Sequence, residues 1–164
     1  MRSRAMAGAG AGLIAGVVMG IGMTLMRTPT PDGGSMPMMA MVARIIRSDS
    51  LVAGWLYHLA NSAVIGAIFG LAVGRSIGGL GRSLAWGGAY GFVWWILGGL
   101  VLMPLFLGMP VFAPLLMAPM RPVAMGSLMG HIVYGLLLGG LYRGFLAHGE
   151  KPRGEWQRHP AQAR

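Results

Sequence analysis

The chain has 164 residues, of which 55% are hydrophobic and 10% charged, and its net charge is +9. Soluble domains carry about 25% charged residues, so this composition excludes an ordinary soluble fold. The lack of cysteine excludes disulfides, thiolate metal sites and redox thiols. The basic residues are scattered between apolar runs and through the tail, with no patch on a folded domain, so no nucleic-acid partner is expected.

Taken in chain order, the first uncharged run covers residues 5–26 and follows Arg2 and Arg4. A secretory signal has a short apolar core and a small-residue cleavage site. This run is too long, and Leu25-Met26-Arg27-Thr28-Pro29 offers no such site, so an uncleaved signal anchor is expected. Residues 50–74, 83–120 and 122–142 are also free of Asp, Glu, Lys and Arg. Each run meets the ~20 apolar residues that a helix needs to cross a bilayer. The predicted fold is an all-α integral membrane protein, a four-transmembrane-helix bundle. Its spans are expected near 6–26, 51–74, 83–105 and 123–146, within one domain over 1–147. The basic tail 148–164 is polar and proline-containing, and is expected to be disordered and to touch anionic lipid.

Charge sets the orientation. With the N-terminus inside, the inner segments carry Arg2, Arg4, Arg75, Arg82, Arg143, Lys151, Arg153, Arg158 and Arg164. The outer segments carry Arg27, Arg44, Arg47 and Arg121, offset by Asp32 and Asp49. Basic residues favour the cytoplasmic side, so both termini are expected there.

The first span repeats glycine every fourth residue, at Gly8, Gly12, Gly16 and Gly20. Gly66, Gly70 and Gly74 continue the device in the second span, and Gly126 with Gly130 and Gly135 with Gly139 in the fourth. Lipid supplies little hydrophobic drive between helices, so small residues that let backbones approach do much of the work. These stripes predict glycine-zipper contacts without saying whether the partner is internal, a second copy in a homo-oligomer, or a larger membrane complex. The run GAGAGLIAG brushes against the dinucleotide-binding glycine pattern, but that pattern needs a preceding strand and is dismissed.

A shift of 73 residues superposes the second half on the first. Met36-Pro37 lies 22 residues before His58, and Met109-Pro110 lies 22 before His131. Gly66 and Phe69 follow His58 at the same offsets, eight and eleven, at which Gly139 and Tyr142 follow His131. This predicts two tandem helical hairpins in parallel repeat. The proline- and methionine-rich outer segments, 35–47 and 104–122, are expected to form short interfacial helices or turns.

His58 and His131 would sit at one level, roughly 10–12 Å below the outer boundary at the helical rise. Offsets of four, eight and eleven share one helical face. Each imidazole therefore shares a face with a small residue, a glycine and an aromatic, which marks a surface packed on protein. Three readings stay open. Each ring can bond a backbone or hydroxyl group of a neighbouring helix, with Asn61, Ser62, Ser127 and Tyr134 at hand. The two can form a shared site for a metal or haem iron. Or they can handle a proton or a polar ligand, although no span holds the carboxylate of a proton relay.

Met19, Met23 and Met26 form a stripe near the outer end of the first span. Soft thioethers with imidazoles suit copper(I), and Met19-x-x-x-Met23 resembles the methionine pair in a pore helix of eukaryotic copper transporters. Methionine is equally an adaptable filler against glycine-rich helices. Trp94 and Trp95 fall mid-span, where they could flank a planar cofactor or fill space.

At GWLYHLANSAVIGAIFG, YGFVWWILGGLVLMPLFLGMP and GHIVYGLLLGGLYRG, the chain resembles a family of small four-span bacterial membrane proteins, a domain of unknown function. Those proteins recur with histidine-bearing second and fourth spans. The resemblance covers residues 5–145 and implies a bacterial inner-membrane location and the four-helix layout; it carries no activity. The function expected is that of a membrane protein with a paired-histidine site, His58 and His131, for metal or haem, with Met19 and Met23 as further metal ligands. The alternative is an accessory or assembly subunit packing through its glycine stripes. No nucleophile, base and acid can be assembled into an enzyme's catalytic set.

Overall fold

The protein is described by a computed structural model covering residues 2–30 and 32–149. Of the tail expected over 148–164, residues 150–164 lie outside the described residues. Four helices are long and apolar enough to cross a membrane: Arg4–Leu25, Leu51–Ala72, Leu80–Phe106 and Ala118–Ala147. They belong to α1 (Arg2–Leu25), α3 (Leu51–Ala72), α4 (Leu80–Trp94) with the elements that continue it, and α7 (Arg121–Gly149). The architecture is a helical bundle, as the uncharged runs require.

The third span changes its winding partway. After α4 the chain runs as a π-helix over Trp95–Leu102 and returns to α-helix in α5, Met103–Phe106. The π stretch, WILGGLVL, contains Gly98 and Gly99. π turns are rare and occur most often at functional sites.

The connectors at one end are built of short elements. Strands β1 (Arg27–Pro29) and β2 (Ser35–Pro37) pair antiparallel, with Thr28 opposite Met36. The ribbon departs from the all-helical expectation, and its local chemistry explains it. Gly33 takes a φ of 81° in the turn, which glycine adopts freely. The Arg27 guanidinium donates across the ribbon to the Ser35 carbonyl at 2.8 Å. Helix α2 (Met38–Ile45) follows and packs against α3, where Gly54 accepts the close approach of the Met39 carbonyl and the Ala43 methyl. At the same end, α6 (Ala113–Leu116) and a 3-10 turn (Ala118–Met120) lead into α7.

The spans pack as two antiparallel pairs joined along one seam: α1 against α3, α4 against α7, and α1 against α7. Glycine sets both pair interfaces. A Cβ at Gly8 would collide with the Gly66 carbonyl, and one at Gly12 with the Ser62 carbonyl. Gly16 and Gly20 face Ser62 and Trp55, while Gly70 faces the Arg4 carbonyl. In the other pair, Gly135 meets the Gly87 carbonyl and Gly139 the Ser83 carbonyl. The α1–α7 seam is filled by Ala11, Ala15, Tyr134, Leu138 and Tyr142, together with Phe69 from α3.

Candidate functional site

His58 and His131 both line one cavity of about 570 Å³ near the connector end of the bundle. It lies among α1, α3, the third span and α7, with Met38, Val42 and Ile45 of α2 at the connector end. The two histidines reach it from helices that differ in their hydrogen bonding.

On α3, Ser50 caps the N-terminus by accepting from the Ala53 N–H at 3.4 Å, which starts the helix two turns before His58. The His58 ring is buried and its Nε2–H donates to the carbonyl of Gly16 on α1 at 2.9 Å. A carbonyl only accepts, so the proton sits on Nε2. Gly20 makes the approach possible, since a Cβ there would lie 3.2 Å from His58 Cδ2. Trp55 stands edge-on to the imidazole at 6.2 Å between centroids. What remains to His58 is the Nδ1 lone pair, on the nitrogen beside its own backbone.

On α7, His131 donates from Nδ1–H to the carbonyl of Ser127, one turn earlier, at 2.8 Å. The Ser127 hydroxyl lies 3.4 Å from the same nitrogen. Its Nε2, the nitrogen at the far edge of the ring, makes no hydrogen bond among the described residues. The facing backbone is the π-helical stretch of the third span. A Cβ built on Gly98 would sit 4.0 Å from His131 Nε2, and one on Gly99 3.7 Å from its Cε1. Two consecutive glycines therefore keep the space before this nitrogen clear. Trp95 fixes the π stretch to α7 by donating from Nε1 to the Ala124 carbonyl at 3.2 Å.

The rest of the lining is mainly apolar and rich in thioethers: Met19, Met23, Met26, Met38, Met103 and Met129. Its polar groups include Tyr57, Asn61, Ser62, Ser127 and Tyr134. Of the expected metal ligands, Met19 and Met23 both reach the cavity. Met19 is seated against Gly130, within 3.8 Å of the position a Cβ would take, and Met26 is pressed into the notch at Gly126. Among the described residues no three His, Asp or Glu side chains gather to form a metal cage. Tyr134 donates to the Ser62 carbonyl at 2.9 Å, and Ser62 in turn donates to the His58 carbonyl at 2.8 Å.

Gly98 and Gly99 had no part in the expected site. Their adjacency inside a span, next to Trp94 and Trp95, is the one sequence signal that marks the place where the helix rewinds. Of the glycine stripes, Gly126 and Gly130 line the cavity and seat Met26 and Met19, while Gly8, Gly12, Gly66, Gly135 and Gly139 lie at the pair interfaces.

Comparison with protein-family models, with curated proteins and with solved structures finds no match to this chain.

Proposed function

We propose that the protein is a non-catalytic, multi-pass protein of the bacterial inner membrane that holds a metal-bearing prosthetic group in its cavity, with His131 as the ligand. The carrying observation is His131 itself: Nδ1–H is committed to the Ser127 carbonyl at 2.8 Å, and Nε2 is left uncommitted beside Gly98. Metal-ligating histidines almost always donate their other ring N–H to a carbonyl or carboxylate, which fixes the tautomer and raises the basicity of the free nitrogen. His58 departs from that pattern, because its outer nitrogen is spent on Gly16. The pair expected to act alike divides into a ligand, His131, and a helix tie, His58.

Haem is favoured over a lone copper ion. A cavity of about 570 Å³ falls in the range of sites for whole organic cofactors, about 300–1,000 Å³. A bare ion would leave nearly all of it empty. Met19 and Met26 also serve α1–α7 packing through Gly130 and Gly126, which weakens their availability as thioether ligands.

The finer topology belongs to the same reading. Both termini are cytoplasmic, by the excess of basic residues in the inner segments, and the connector end faces outward. The chain is a tandem repeat of two hairpins, each closed by glycine-zipper contacts: Gly12 on Ser62 and Gly66 in the first, Gly87 on Gly135 and Gly139 in the second. The short helices α2 and α6 lie in the outer interface. The resemblance to four-span bacterial proteins with histidine-bearing second and fourth spans fits, since those spans supply both cavity histidines. An accessory subunit packing through its glycine stripes is less well supported, because Gly8, Gly12, Gly16, Gly135 and Gly139 all face helices of the same chain.

Titration of the detergent-purified protein with haem tests the reading. The expected result is a stoichiometric Soret band, lost in His131→Ala and kept in His58→Ala. Stoichiometric copper with no haem uptake would replace haem by copper. A protein that takes up neither overturns the proposal.

A further inference from the structure

The geometry points to a cavity that opens sideways into the bilayer and is filled, when no prosthetic group is present, by an acyl chain of a membrane lipid. This goes beyond the prosthetic-group reading and shares with it only the cavity. Along the bundle axis the cavity is closed. At the connector end, Met38, Val42 and Ile45 of α2 cover it. Toward the termini, Phe69 meets Tyr90 at 5.2 Å and Tyr142 at 5.6 Å between ring centroids, and Tyr90 donates to the Ile65 carbonyl at 2.8 Å. That plug is continuous with the buried core.

The side walls differ. Each of the three seams of the bundle joins α1 or α7 to a neighbour, and α3 meets the third span chiefly through Tyr90. On the connector side of Tyr90 the two helices stand apart. Residues there line the cavity while facing outward: Val64 on α3 is 59% exposed and Phe106 at the end of the third span 64%. In a membrane-spanning helix such exposure is exposure to hydrocarbon. The mouth thus looks onto acyl chains and not onto water.

An apolar void loses dispersion contacts on every wall, and apolar cavities do not fill with water. Hydrocarbon is the medium at the mouth, the lining is mainly apolar, and the unbranched thioethers of Met23 and Met103 can adapt to a flexible chain. A lipid tail from the leaflet at the connector end meets each of these conditions without leaving the bilayer. The route also sets the class of molecule the site admits: one that partitions into the membrane first.

The test uses the full chain in liposomes containing a phospholipid with a photoactivatable diazirine on its acyl chain, with adducts mapped by mass spectrometry. Labelling is expected at Met23 and His131 as well as on the outward residues Leu13, Ile21 and Val52. Gly98→Leu, whose Cβ would stand 3.9 Å from the Trp94 ring and 4.0 Å from His131 Nε2, projects a side chain into the cavity. It is expected to cut labelling of Met23 and His131 several-fold and to leave the outward residues unchanged. Adducts confined to the outward residues in the unaltered protein overturn the inference whatever the variant does. Cavity labelling without a Soret band would sink the haem reading alone; a Soret band without cavity labelling would sink this one alone.

Discussion

The Nε2–H of His58 donates to the main-chain carbonyl of Gly16 at 2.9 Å, joining residues 42 apart in the chain and on different spans. The acceptor lies between Gly12 and Gly20 on the stripe that α1 turns toward α3. The bond crosses the tightest interface of the first hairpin, where the absence of side chains on α1 brings a backbone oxygen within reach.

His58→Ala removes that bond and leaves the Gly16 carbonyl facing a small void. Interhelical hydrogen bonds in membranes are worth about 0.6–2 kcal/mol, and a loss of that size is expected in equilibrium unfolding in mixed micelles. His58→Gln, whose amide can donate across the same gap, should recover part of it. Equal losses for both variants would show that the ring's packing matters and the hydrogen bond does not.

Gly135→Ala forces a methyl group onto the Gly87 carbonyl, with backbone on both sides of the contact. Overpacking of this kind costs about 1–3 kcal/mol. Gly81→Ala is the control, since nothing stands within 4 Å of its Cβ position. The first variant should be destabilised by that amount and the second unchanged, as read from resistance to denaturing detergent.

Tyr134→Phe keeps the ring and deletes the hydroxyl that donates to the Ser62 carbonyl at 2.9 Å. Helices α7 and α3 do not form one of the main seams, so this phenol is one of the few ties between them. A destabilisation of about 1 kcal/mol is expected. Combined with Tyr142→Phe, which removes the bond to the Gly70 carbonyl at 3.2 Å, the effect should be near-additive, because the two acceptors lie two turns apart on α3.

The ribbon between α1 and α2 carries a carboxylate in a distinct environment, Asp32. The neighbouring Thr30 side chain, together with the Gly34 N–H that donates to Asp32 Oδ1 at 3.4 Å, holds the carboxyl below the usual carboxylate range. A lowered folded value means that the ionised form is favoured by the folded turn. The contribution is therefore present above the ordinary carboxylate value and lost as pH falls through the lowered one. Amide resonances of Gly33 and Gly34 should hold steady as pH falls through the ordinary carboxylate range and shift only below it. In Asp32→Asn that shift should vanish.

The four spans were legible because hydrocarbon imposes a length and a lack of charge that few other settings require. The faces on which His58 and His131 lie were legible from the helical period, for Ser62, Gly66, Phe69, Gly139 and Tyr142 are all buried, as is His58, and His131 is half-buried. The division of labour between the two rings was not. The acceptor for His58 is a backbone carbonyl, which every residue owns, so no side chain in the sequence announces it. The rewinding at Trp95–Leu102 was also hidden, since a π turn depends on how Trp95 and the glycines pack on α7, not on hydropathy. The β1–β2 ribbon leaves no mark in the hydropathy pattern because it spans only three residues per strand and depends on the turn at Gly33.

The closest backbone approaches at glycine fall within each antiparallel pair, while the seam between pairs is made of alanine, leucine, rings and the methionines seated at Gly126 and Gly130. Severing the chain in the turn between Ala72 and Leu80 would cross none of the close backbone approaches at Gly8, Gly12, Gly87 or Gly135. Each half would keep its own fastening. Two fragments produced separately in one cell should then find each other along the α1–α7 seam and rebuild the cavity, whose walls neither fragment can supply alone.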